Sequence, residues 1–117
     1  MTPITVTIPL RLGTGQNMRE HFRVRAKRVK AERHAIAWAV NGKPRPPNTM
    51  PLVVHIVRVS PGTVPLDTDN LSGAGKGIRD QLADWLGRDD GHDSVTWTYG
   101  QRKGPWGVEI TISERAA

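Results

Sequence analysis

The chain has no cysteine among its 117 residues, which excludes a disulfide framework, a zinc ribbon and a thiol nucleophile. It has no apolar run near the roughly 20 residues that cross a bilayer. The start, Met1-Thr2-Pro3-Ile4-Thr5-Val6, lacks the basic head and long apolar stretch of a signal peptide. A soluble, cytoplasmic protein is expected. Acids are scarce in the first half: residues 1–66 carry eleven Lys/Arg against only Glu20 and Glu32. The length leaves room for one domain, 1–117, with one core. A chain this short buries only about two-thirds of its unfolded surface, which leaves a role for a partner chain.

The charge present is unevenly placed. The net charge is +6, yet residues 67–93 hold seven of the eleven acids, all aspartates: Asp67, Asp69, Asp80, Asp84, Asp89, Asp90 and Asp93. A basic surface gathers a polyanion, because displaced counterions supply affinity for DNA or RNA. Aspartates clustered in such a protein make sense where a divalent cation sits between carboxylates and phosphate. The competing reading places acids and bases on separate solvated faces.

Alternation of Ile4, Val6 and Ile8 with Thr5 and Thr7 predicts a half-buried strand over Pro3–Leu10. Gly13, Gly15 and Asn17 form a turn, with Asn17 a suitable N-cap. Met18, Phe22, Ala26, Val29, Ile36 and Val40 recur at helical spacing, so a helix is expected from Met18 to about Val40. Arg19, Arg23, Arg25, Lys27, Arg28, Lys30 and Arg33 occupy much of its remaining surface. Asn41-Gly42 ends it before a proline-rich loop, Lys43–Pro51. Leu52–Val59 is β-branched and reads as a second strand, followed by a turn-rich connection to Pro65. A second helix is expected over Leu71–Leu86, with Ile78, Leu82, Trp85 and Leu86 on one face. Its first turns are weakened by Gly73, Gly75 and Gly77, each costing roughly 1 kcal/mol relative to alanine. After a loop at Gly87–Asp93, Val95, Trp97 and Tyr99 alternate as a third strand. Arg102-Lys103-Gly104-Pro105 reads as a hairpin connection to a fourth strand carrying Val108, Ile110 and Ile112. The order β-α-β-α-β-β gives an α+β domain with a mixed sheet and two helices on one face.

The strongest chemical signal is Asp67-Thr68-Asp69-Asn70, where an extended segment gives way to a helix. In extended backbone residues i and i+2 point the same way, which would set two carboxylates side by side. Such a pair raises a pKa or binds a metal. The competing reading makes Asp69 or Asn70 a helix cap and Asp67 a turn residue. The second acidic group, Asp89-Asp90-Gly91-His92-Asp93, follows a helix that returns the chain toward a neighbouring strand, so that one of its carboxylates is expected to approach the pair. Three carboxylates with water suit octahedral Mg²⁺. Two other patterns fail. Gly73-Ala74-Gly75-Lys76-Gly77 imitates the end of a phosphate-binding loop, but Asn70 stands where the first glycine belongs and Gly77 where a Ser/Thr belongs. A calcium loop starting at Asp67 has Leu71 and Ser72 where a ligand and glycine belong. Of His21, His34, His55 and His92, none has zinc-ligand spacing; His92 stands out only for its aspartate neighbours.

Asp67-x-Asp69-Asn70-Leu71, then a lysine, a short helix, a Trp-containing segment, Asp89-Asp90 and a C-terminal β-hairpin resemble the RusA family of Holliday junction resolvases, small phage and prophage proteins. The similarity runs over essentially the whole chain and is most specific from Asp67 to Asp90. It implies an α+β homodimer in a bacterial or phage-infected host cell that binds four-way DNA junctions and makes paired incisions with Mg²⁺, for which Mn²⁺ can substitute. Residue by residue, it implies Asp67, Asp69 and Asp90 as catalytic metal ligands and Lys76 as the catalytic lysine. Lys76 lies three residues further from Asn70 than the family spacing, nearly one helical turn. Gly91-His92-Asp93 lengthens the segment after Asp90 and makes Asp93 a rival third ligand.

The expectation is therefore phosphodiester hydrolysis in branched DNA, in recombination and repair, with Arg23, Lys27, Lys30 and Lys43 gripping the backbone. Such contacts set position rather than sequence. Trp38, Trp85, Trp97 and Trp106 are assigned to core or interface, with one stacking on an unpaired base as the alternative. Two other functions compete: a non-catalytic binder of structured nucleic acid, and a metal-dependent ribonuclease.

Overall fold

The computed structural model describes residues 1–12, 22–62, 65–89, 91 and 93–116. The turn and N-cap expected at Gly13–Asn17, the helix residues Met18 and Arg19, and the site candidates Asp90 and His92 lie outside these.

Strand β1 (Ile4–Ile8) buries Ile4, Val6 and Ile8 and exposes Thr5 and Thr7, as its alternation dictates. Helix α1 (Phe22–Val40) sinks Ile36 and Val40 into the core; Ala26, expected on that face, is exposed. Glu32 is buried instead, bonded to Arg28 one turn earlier at 3.0 Å. Strand β2 (Leu52–Ser60) presents Leu52, Val54 and Ile56 to the helices.

The expected second helix begins earlier and is broken. Helix α2 (Thr68–Ala74) and helix α3 (Lys76–Leu86) are separated at Gly75. A Cβ on Gly75 would lie 3.3 Å from the Tyr99 ring, so glycine at the break lets the chain pass close beneath that ring. Helix α3 then buries Ile78, Leu82, Ala83 and Leu86. It ends where expected: Gly87 is left-handed at φ 73°, and the amides of Gly87 and Arg88 bond Asp84 and Ala83 carbonyls.

Strands β3 (Val95–Lys103) and β4 (Gly107–Glu114) complete a four-stranded mixed sheet of order β1-β4-β2-β3. The expected hairpin is absent, because β3 pairs in parallel with β2 while β4 pairs antiparallel with β2 and β1. The connection at Gly104–Trp106 crosses the end of β2, where the Gly104 amide bonds the Ser60 carbonyl at 2.9 Å. The physical reason is crossover geometry. A helix after β2 returns the chain to its starting end, so β3 runs parallel beside it. The β1-α1-β2 unit is likewise parallel, with β4 inserted between its strands.

Helices α1 and α3 pack against each other, and their buried side chains form one cluster with the inward rows of all four strands. The layers are thus helices over one face of a sheet, the α+β arrangement expected. No helix among the described residues is long and apolar enough to cross a membrane.

Candidate active site and nucleic-acid interface

Strand direction sorts the functional candidates into two ends. Chain leaving β2 and β3 emerges at one end of the sheet; chain entering them lies at the other. Asp67 belongs to the first end. Leu66, just before it, is held there by Gln101 of β3, whose side chain accepts the Leu66 amide at 2.9 Å and donates to the Leu66 carbonyl at 2.8 Å.

Asp67 and Asp69 are both exposed. Helix α2 starts three residues earlier than its spacing suggested, so Asp69 lies in a first helical turn rather than in extended backbone. The Asp67 carbonyl accepts the Leu71 amide at 2.9 Å, which makes Asp67 itself the N-cap position. The two carboxylates therefore come from the cap and first turn of one short helix, not from one face of a strand. Both are exposed carboxylates, the kind of hard-oxygen donor that Mg²⁺ takes while keeping several of its waters.

The second acidic group starts from the other end. Leu52 bonds the Ser94 carbonyl at 2.7 Å. The Arg88 guanidinium donates to Met50 and Pro47 carbonyls at 2.7 and 2.8 Å and to Ser94 Oγ at 2.9 Å, and burial lowers its pKa. Arg115 holds the Asp93 carbonyl at 2.9 Å. From Val95 to Gln101, β3 spans about 20 Å at ~3.3 Å per residue. Asp93 is thereby removed as a rival ligand, because a strand-helix-strand crossover delivers the chain to the opposite end of the sheet. Asp90 lies outside the described residues, among which no group of three or more His, Asp or Glu is gathered.

Lys76 opens α3, is well exposed, and pairs with Asp80 one turn on at 3.2 Å. Arg23, Lys27 and Lys30 are exposed on α1 at positions i, i+4 and i+7, and Lys43 is exposed beyond its end. His34 and Trp38 continue the same stripe. Trp38 is 82% exposed, unlike Trp85 and Trp97, which pack against the core. Trp106 carries two guanidiniums: Arg11 lies 4.8 Å and Arg58 5.3 Å from its ring centre.

Three residues that organise this surface were not singled out from the sequence. Arg58 had a visible signal, since it breaks the inward row Leu52, Val54, Ile56 with a charge. Gln101 and Arg88 gave none, because the Gln101 bonds, and those of Arg88 to Met50 and Pro47, reach backbone atoms remote in sequence.

Compared with protein-family models and with curated proteins, the chain matches none.

Proposed function

We propose that this protein is a Mg²⁺-dependent endonuclease that cuts branched DNA. The observation that carries the reading is the placement of Asp67 and Asp69, both exposed at the end of the sheet where β2 and β3 point. Ligand crevices form at this end of parallel strands. Bound there, Mg²⁺ would supply Lewis-acid activation of a phosphodiester and an ionisable water near neutral pH. Asp67 and Asp69 orient the ion, while Arg23, Lys27, Lys30 and Lys43 hold the backbone. Trp38 extends that basic stripe with an aromatic face suited to an unpaired base. Lys76 serves the reaction only if it leaves Asp80 for phosphate. Asp90 enters the proposal only through the resemblance to the RusA family, since its neighbours Arg88 and Asp93 are held at the opposite end of the sheet from Asp67. An Asp90→Asn variant that nicks normally removes it from the site.

Paired incision calls for two sites at fixed separation, which a two-fold homodimer provides. A monomer by light scattering at working concentration would count against paired cutting. The defining experiment incubates a labelled four-way junction with the protein, with and without Mg²⁺, beside Asp69→Asn. Symmetric nicks that need the metal and vanish in the variant, with binding retained, are expected. Tight binding without nicks under Mg²⁺ or Mn²⁺ would replace the reading with a non-catalytic binder. Preferential cutting of RNA would replace it with a ribonuclease.

A further inference from the structure

Arg58 occupies an inward position of β2 and is 7% exposed. Its Nε donates to the Leu12 carbonyl at 2.8 Å and one terminal nitrogen to Ser60 Oγ at 3.1 Å, while the guanidinium lies over Trp106. All three partners are uncharged, and among the described residues no carboxylate pairs with it. Burial lowers its pKa, but arginine keeps its charge at any physiological pH. A buried cation without a counter-charge is a poor structural choice, since an apolar side chain of similar size serves packing as well or better.

Arg58 lines an open cleft of about 320 Å³ together with Ser60, Gln101, Arg102 and Lys103. Arg102 is ion-paired with Glu109 across β2, so among the described residues the cleft's cations without a carboxylate partner are Arg58 and the exposed Lys103. Guanidinium, ammonium and hydroxyl donors around a small volume are the chemistry that takes phosphate oxygens. The cleft also opens at the C-terminal end of the parallel β2–β3 pair, and Gln101, which lines it, is the side chain that fixes Leu66 beside Asp67.

We propose that this cleft is a binding subsite for a backbone phosphate of the nucleic acid, with Arg58 and Lys103 as its cations, adjoining the segment that presents Asp67. The inference rests on the nucleic-acid reading above but not on catalysis. It places a phosphate contact beside the aspartates, separate from the cations of α1.

The test measures four-way junction affinity by fluorescence anisotropy across a salt series, without divalent metal, for the wild type, Lys103→Gln and Arg58→Met. Lys103→Gln changes an exposed side chain and is expected to weaken binding several-fold and to lower the slope of log affinity against log salt by about 0.9. Arg58→Met is expected to weaken binding at least as much at a temperature where the variant is fully folded, a result that a purely structural arginine would not give. If Arg58→Met fails to fold, Lys103→Gln alone decides. Wild-type affinity and salt slope in Lys103→Gln overturn the subsite, even where metal-dependent nicking is normal. Binding that depends on Lys103 in a protein that never nicks DNA upholds the subsite and refutes the endonuclease.

Discussion

Replacing Gln101 with methionine is expected to destabilise the protein by about 2 kcal/mol and to loosen the backbone that carries Asp67. Gln101 makes two hydrogen bonds to one residue, at 2.9 and 2.8 Å to the Leu66 amide and carbonyl. Methionine keeps the length and nearly the volume of the side chain, so the change removes the bonds without opening a cavity. Each bond contributes about 1 kcal/mol net. Leu66 is half-buried, so water partly reaches the freed groups and the loss stays near that sum rather than at the full desolvation penalty. Over 117 residues, an unfolding entropy of about 2.1 cal/mol/K per residue converts this loss to a Tm decrease of roughly 8 °C. Thermal and urea denaturation measure the global effect, and amide exchange at Leu66 measures the local one. A Tm within about 2 °C of wild type, with unchanged Leu66 exchange, would refute the view that Gln101 anchors this segment.

Trp38→Ala is expected to leave stability within about 0.5 kcal/mol while reducing affinity for a junction or single strand by five-fold or more, since base stacking on an aromatic contributes roughly 1–3 kcal/mol; anisotropy alongside denaturation separates the two. Gly77→Ala should lower stability in urea by about 1 kcal/mol despite a similar gain in helix propensity. The new methyl would lie 3.0 Å from Glu32 Oε2, and Glu32 is buried and tied to Arg28. The Arg102 hydrogen bond and charge hold the Glu109 carboxyl below its ordinary range. That contribution is present above the unfolded pKa and is lost as pH falls through the folded one. Glu109→Gln should therefore show a shallower loss of Tm than wild type as pH falls below about 4.3.

Pattern alone located the four strands and the ends of both long helices. Val40 and Leu86 close their helices where Asn41-Gly42 and Gly87 stand, because helix termination is local chemistry. Inward rows such as Ile4, Val6, Ile8 and Val108, Ile110, Ile112 follow from the two-residue period of strands. Partner choice does not. Gly104-Pro105 has the composition of a hairpin turn, but β3 and β4 flank β2 instead of pairing.

For the site, the sequence by itself determined the residue types: paired aspartates and a basic helix. The tertiary structure decided which of them meet. It put Asp67, Gln101, Arg58 and Lys103 at one end of the sheet and Asp93 at the other. It made Trp38 an exposed continuation of a cationic stripe and left Lys76 bound to Asp80. The reason is that composition and periodicity act over a few residues, whereas the direction of a strand and the crossover that precedes it are set by burial of the whole sheet beneath its helices.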